Sequence, residues 1–199
     1  MKKKPGKAGV KKSGAKKAFS KKTRGEVFIR QPAAGDEDEF LALMRASKRL
    51  HRGFVTTPAR PKDFAKFLER SDRPNSIWLF VCRKEDEKIV GAFHLDQIVY
   101  GNFRSAYMGY YAGEPYAGRG YMTAGMRLVL RHAFARLKLH RVEANIQPNN
   151  ASSLSLVRRA GFHSEGYSRR YLKVGGRWRD HERWAILREE WKAGKKGEG

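Results

Sequence analysis

A glycine turn between a strand-like segment and a helix-like segment is the feature that most constrains the fold of this chain. Residues 106–112 are apolar and aromatic, as in a strand, and residues 121–137 repeat apolar side chains at helical spacing. Gly118-Arg119-Gly120 stands between them. Such a turn leaves helix N–H groups without intrahelical partners at the positive end of the helix dipole. The unit therefore predicts a backbone site for phosphate or pyrophosphate.

The remaining elements predict a mixed α/β sheet with the order β-α-α-β-β-β-α-β-α-β-β. Strands are expected at residues 27–30, 76–83, 89–100, 106–112, 141–146, 162–173 and 178–187, and helices at 36–50, 61–70, 121–137 and 151–160. The crossover from the fourth strand through its helix to the fifth is long enough to make those two strands parallel neighbours.

Composition predicts one domain with charged tails. The chain has 199 residues, 43 of them basic and 20 acidic, for a net charge of +23. Residues 1–24 contain ten lysines, Arg24 and no acid, so we expect a disordered basic tail there. The folded domain is expected at residues 25–192 and a short disordered tail at 193–199. The basic tail is either a solvated polycation or a contact for RNA or the ribosome.

Other features predict a cytoplasmic protein with no membrane partner and no metal. No apolar run approaches the roughly 20 residues of a membrane span, and the N-terminus lacks the apolar core of a secretory signal. Cys82 is the only cysteine, so no internal disulfide can form. His132 and His140 have no partners at zinc-ligand spacing.

A dinucleotide site is a competing interpretation of the glycine turn. Gly118-x-Gly120-x-x-Thr123 partly matches the Rossmann fingerprint, and Glu143 follows at about 20 residues. The third glycine is missing, however, and three strands precede the unit. These departures disfavour a nicotinamide site.

Residues 107–162 carry several further motifs in a fixed order. These are Tyr116-Ala117-Gly118-Arg119-Gly120-Tyr121, Pro148-x-Asn150-x-x-Ser153-x-x-Leu156 and Ala160-Gly161-Phe162. Their order and spacing resemble the GNAT superfamily of N-acetyltransferases. The later segments Glu165-Gly166-Tyr167 and Trp178-Arg179-Asp180-His181 resemble, more narrowly, the RimJ/RimL-like ribosomal-protein-alanine acetyltransferases. The resemblance covers about residues 26–191.

The resemblance implies a GNAT fold: a mixed sheet of about six to seven strands, with splayed central strands and helices on both faces. It also implies acetyl-CoA as donor, its pyrophosphate on the glycine turn and its pantetheine arm between the splayed strands. The implied cofactor-binding residues are Tyr111, Ala112, Gly118, Arg119, Gly120, Tyr121, Met122, Thr123 and Asn150. Family members often carry Gln or Arg where Pro115 stands, so a side-chain contribution is lost there.

Asn150 and Ser153 are the candidate catalytic residues. Asn150 is placed to cap the helix that follows, and the resemblance adds contact with the cofactor. Ser153 shares a helix face with Leu156 and Val157, which directs it inward. The resemblance implies that Ser153 protonates the departing CoA thiolate, whereas a purely structural hydroxyl is the alternative.

The sequence does not identify a general base. Asn145 and Val157 stand where some superfamily members carry a carboxylate and a tyrosine, and His94, Asp96 and Glu114 are polar candidates without a specific motif. About a tenth of an α-amine is already neutral at pH 7, whereas a lysine is almost fully charged. A site without a strong base therefore favours an N-terminal α-amine as acceptor.

Three functions stay open at this point. The first is acetylation of a protein N-terminus, possibly of a ribosomal protein. The second is acetylation of a small molecule such as an amino sugar or antibiotic. The third is RNA binding on an acetyltransferase scaffold. The basic surface disfavours cationic polyamines as substrates.

Overall fold

The computed structural model describes residues 26–196, with side chains to residue 192, so the predicted basic tail 1–24 and residues 197–199 lie outside the described residues. The strands are β1 (Val27–Arg30), β2 (Ile77–Arg83), β3 (Ile89–Val99), β4 (Ser105–Ala112), β5 (Arg141–Ile146), β6 (His163–Val174) and β7 (Arg177–Leu187). The helices are α1 (Glu37–Ala46), α2 (Lys48–His51), α3 (Pro61–Ser71), α4 (Tyr121–Arg131), α5 (Ala151–Arg159) and α6 (Arg188–Lys196).

All seven strands form one sheet in the order β1-β2-β3-β4-β5-β7-β6. Every neighbouring pair is antiparallel except β4 and β5, which are parallel, as the crossover length predicts. The predicted mixed α/β sheet of six to seven strands is confirmed.

Two apolar cores cover the two faces of the sheet. On one face α4 and α5 pack over residues that include Val81, Phe93, Leu95, Met126 and Val157. On the other face α1 and α3 pack over an aromatic cluster that includes Phe40, Phe64, Phe67, Trp78 and Phe80. Because strand side chains alternate between faces, strands β1 to β4 contribute to both cores, whereas β5 and β7 contribute to the first core only. We call these faces the α4 face and the α1 face.

Two helices depart from their predicted bounds, and a third was not predicted. The predicted helix 36–50 is divided at Ser47, whose buried hydroxyl donates to the Leu43 carbonyl (2.7 Å) and accepts from the Glu114 amide (2.8 Å). The predicted helix 121–137 is α-helical to Arg131 and then widens into a π-helical turn at His132–Arg136. A last helix, α6, continues to Lys196, beyond the domain end expected at residue 192.

The central strands β4 and β5 diverge along their length. They pair only through Ser105, Ala106 and Tyr107 on β4 with Arg141, Val142 and Glu143 on β5. Beyond this register, residues 108–112 and 144–146 have no pairing with each other. Their separation confirms the predicted splay and opens the sheet between its two middle strands.

Candidate active site

A cleft of about 820 Å³ lies where β4 and β5 separate. Its walls come from the end of β4, the glycine turn, the first turn of α4, the end of β5, the start of α5 and residues near α2. The predicted site residues that line it are Ala112, Gly118, Gly120, Tyr121, Met122, Thr123, Asn150 and Ser153. Tyr111 and Arg119 do not line it.

The glycine turn presents backbone rather than side chains to the cleft. Gly118 and Gly120 have φ values of +73° and +84°, and a Cβ on either would meet no atom within 4 Å. The helix begins directly after Gly120, whose carbonyl accepts from the Ala124 amide (3.0 Å). The amides of Tyr121, Met122 and Thr123 come before the first intrahelical hydrogen bond, so no carbonyl of the helix accepts from them. Glycine suits both positions because left-handed backbone strains other residues.

Strand alternation decides which β4 peptide groups face the gap. The Gly113 amide donates to the Val90 carbonyl beside β3 (2.8 Å), and Tyr111, two residues earlier, points its peptide groups the same way. The peptide groups of Tyr110 and Ala112 therefore point towards the gap. The Tyr111 side chain is buried on the α1 face, and this burial raises its pKa to about 12. Of the two residues predicted to pair with pantetheine, only Ala112 has the required direction.

Asn150 and Ser153 are brought together at the start of α5. The Asn150 side-chain oxygen accepts from the Ser153 amide (3.2 Å), which confirms the predicted N-cap. Ser153 is half-buried, as its helix face predicts. Its hydroxyl lies near that of Tyr110, which is buried and has no hydrogen bond of standard geometry within the described part of the chain. Burial raises the Tyr110 pKa to about 12, and the nearby Ser153 opposes that rise.

Three histidines line the cleft: His51, His94 and His181. Burial lowers the pKa of His51 and also that of His181, whose Nδ1 lies 3.0 Å from the Arg179 carbonyl. His94 differs because its Nδ1 lies 2.8 Å from the Asp96 carboxylate. Burial raises the Asp96 pKa, but the contacts with His94 and Ser76 and the charge of Arg70 together outweigh it, so the pKa is lowered.

The other polar candidates from the sequence have different surroundings. Glu114 pairs with Arg49 (2.8 Å) and does not line the cleft. Asn145 does line it, and its buried side-chain oxygen has no hydrogen-bond partner among residues 26–192. Val157 is fully buried in the core. Neither Asn145 nor Val157 can supply the proton transfer that a carboxylate or tyrosine would.

The sequence assigned no individual role to Tyr110, His51 or His181, and it offered His94 and Asp96 as separate candidates. One sequence pattern could have linked these two residues: the spacing His94-x-Asp96 places both side chains on one face of a strand. Across residues 26–196, no group of three His, Cys, Asp or Glu side chains could hold a metal ion. The helices of this region are also too short or too polar to cross a membrane.

Residues 26–163 match the family model described as the acetyltransferase (GNAT) domain. A probable N-acetyltransferase of Bacillus subtilis, YjcK, is 31% identical over 169 residues, which cover 81% of this chain and 93% of that protein. The ribosomal protein uS5-alanine N-acetyltransferase of Escherichia coli is 34% identical over 124 residues, 62% of this chain and 64% of that protein.

Solved structures show the same architecture. Mycobacterium smegmatis RimJ in complex with CoA-disulfide superposes with a TM-score of 0.76 at 26% identity, covering 84% of each chain. A Vibrio cholerae spermidine N-acetyltransferase in complex with CoA and spermine has a TM-score of 0.71 at 18% identity, covering 83% of this chain and 98% of that one. The second likeness concerns the fold alone. The family model and the relatives show that this chain is an acetyl-transferring enzyme of the GNAT family.

Proposed function

We propose that this enzyme transfers the acetyl group of acetyl-CoA to the N-terminal α-amine of a protein. The amides of the glycine turn and of the first turn of α4 would hold the CoA pyrophosphate. The peptide groups of Tyr110 and Ala112 would pair with the pantetheine arm in the gap beside β4. Ser153 would donate the proton that the CoA thiolate needs as it leaves.

The charge of the cleft is the observation that carries this choice of acceptor. The described residues that line the cleft include one arginine, Arg159, and three histidines, but no aspartate or glutamate. A polyamine or an aminoglycoside carries several positive charges and needs acidic partners. A protein N-terminus brings a single amine, a fraction of which is already neutral. The Escherichia coli relative is named as an N-acetyltransferase for an alanine of ribosomal protein uS5, which supports the same class of acceptor.

Acetylation of matched peptides tests the acceptor. We expect a peptide that begins with alanine and contains one lysine to gain a single acetyl group at its α-amine. The same peptide with a blocked N-terminus should gain none, because at pH 7 the lysine amine is about 300-fold less often neutral. Intact-mass analysis and fragmentation identify the modified amine.

Two controls make this test decisive. Spermidine and an aminoglycoside, offered at the same concentration, should be poorer acceptors than the free peptide. Faster acetylation of lysine, spermidine or the aminoglycoside would contradict the proposal. Failure of the protein to bind acetyl-CoA by calorimetry would support the scaffold alternative instead.

We also propose that residues 1–24 bring the enzyme to ribosomal RNA. Their eleven basic residues have no acidic neighbours within the segment. Deleting the segment should weaken retention on RNA in low salt and leave acetylation of a free peptide unchanged, because phosphate attraction is independent of the cleft. Binding measured across a salt series checks this, and equal retention by both proteins would contradict it.

A further inference from the structure

His94 stands on the α1 face where the sheet begins to open. It is paired with Gly109 in the β3–β4 register. A Cβ built on Gly109 would lie 2.2 Å from the His94 Nε2 atom, so the imidazole occupies the space that a side chain would fill. Gly109 precedes Tyr110, and all three residues line the cleft. The ring edge that carries Nε2 therefore lies over Gly109, at the wall of the cleft.

A chain of contacts holds the other side of the ring. Nδ1 is buried and lies 2.8 Å from an Asp96 oxygen, a contact without hydrogen-bond geometry, whereas the second Asp96 oxygen accepts from the Ser76 hydroxyl. Ser76 in turn accepts from the Trp78 indole N–H (2.9 Å). The Trp78 ring stacks on the imidazole, with centroids 4.2 Å apart and planes 18° from parallel. Ser76 and Trp78 are both buried, so this support is well shielded from water.

The charged surroundings distinguish His94 from the other two histidines of the cleft. Asp96 is beside it on β3, Tyr111 faces it from β4, and Arg70 of α3 acts on both Asp96 and Tyr111. Asp96 is the carboxylate nearest the ring, with one oxygen 2.8 Å from Nδ1. His51 contacts Tyr111 and is acted on by Glu114, and His181 contacts Tyr171 and the Arg179 carbonyl and is acted on by Asp180. The 2.8 Å approach of a carboxylate oxygen to a ring nitrogen distinguishes His94 from both.

The two faces of the gap carry different chemistry. His94 approaches it from the α1 face, whereas Tyr110 and Ser153 meet on the α4 face, where Tyr110 packs on Phe93. A proton acceptor and a proton donor thus stand on opposite sides of one opening. This arrangement suits a reaction in which an amine enters from one side and a thiol leaves from the other.

We propose that His94 is the general base for the acceptor amine and that Asp96 is the residue that positions it. This inference rests on the proposed acetylation of an α-amine. The ammonium loses one proton to Nε2, the nitrogen bonds to the thioester carbonyl carbon, and the carbon–sulfur bond breaks. Of the three ammonium protons, one passes through His94 to solvent, one balances the protonation of the CoA thiolate to the thiol, and one stays on the amide.

The variant His94→Gln tests the proposal through the pH dependence of its deficit. Without the base, the rate follows the fraction of neutral amine, which is about a tenth at pH 7 and above nine-tenths at pH 9. We therefore expect kcat to fall about tenfold at pH 7 and the deficit to shrink towards pH 9. Acetyl-CoA affinity by calorimetry should be unchanged, which also reports that the variant is folded.

Two further variants separate chemistry from structure. Gly109→Ala keeps the histidine but pushes its ring away, and it should show the same deficit that fades with pH. Asp96→Asn removes the charge that stabilises the protonated ring and should show an intermediate deficit. His163→Gln changes an exposed histidine outside the cleft and should match the wild type at every pH.

Definite outcomes would overturn the proposal. The first is an undiminished rate in His94→Gln. The second is a deficit of equal size at pH 7 and pH 9, because a structural defect would not depend on pH. The third is a pH-dependent deficit in His181→Gln alone. Failure of the proposed function would look different, because the wild type itself would not acetylate the α-amine peptide. The ratio of the kcat of the variant to that of the wild type would then be measured on whichever amine the wild type does accept.

Discussion

Gly120→Val is expected to weaken acetyl-CoA binding about 100-fold, or about 2.7 kcal/mol, while the protein stays folded. Gly120 ends the glycine turn with φ at +84°, and the next three residues line the cleft. A β-branched side chain resists this left-handed conformation by ~1–2 kcal/mol, and relaxing that strain turns the amides away from the pyrophosphate. The side chain would also cover the backbone that the phosphate must approach.

Gly175→Val is the matched control for this variant. Gly175 lies in the turn between β6 and β7 with φ at +56°, and a Cβ there also meets no atom within 4 Å. The two variants should lose similar thermal stability, but only Gly120→Val should lose affinity in isothermal calorimetry. Equal affinities in both variants would show that the glycine turn does not hold the donor.

Ser153→Ala is expected to lower kcat about 100-fold, with little change in the Kd for acetyl-CoA. The hydroxyl is proposed to protonate the thiolate, a step that occurs only after the donor is bound. The substitution leaves the helix cap intact, because Asn150 accepts from the Ser153 backbone amide rather than from its side chain. The loss should therefore appear in the chemical step, as measured by single-turnover kinetics.

Tyr110→Phe decides between the two hydroxyls that meet beside α5. Because Ser153 is the proposed donor and the Tyr110 hydroxyl is buried without a hydrogen-bond partner among residues 26–192, removing the Tyr110 hydroxyl should have a smaller effect than removing that of Ser153. Ser164→Ala, on an exposed strand residue, serves as the unaffected control. A large loss in Tyr110→Phe together with normal turnover in Ser153→Ala would assign the donor role to Tyr110.

Local patterns predicted most of the secondary structure. Strand and helix positions agree within one or two residues for most elements, because alternation and helical spacing act over short stretches of chain. The helix around Ser47 is the main exception. Its division depends on a hydrogen bond to Glu114, 67 residues away, and no local pattern records that partner.

The register of strand pairing determines which peptide groups of β4 face the gap, and the sequence alone does not reveal it. The family resemblance implies that β4 and β5 splay apart, but the sequence does not show which alternate residues of β4 face the gap. The pairing of β3 with β4 directs the peptide groups of Tyr110 and Ala112 towards the gap and those of Tyr111 towards β3. A shift of one residue would reverse all of these directions, so a prediction without the register cannot separate Tyr111 from Tyr110.

By itself, the sequence determined the glycine turn, the helix that follows it and the cap at Asn150, because backbone conformation and capping depend on a few adjacent residues. Only the tertiary structure placed His94 against Gly109, joined it to Asp96 and Ser76, and set Tyr110 beside Ser153. Such contacts arise where distant segments of the chain pack together, and their geometry depends on strand pairing across the whole sheet.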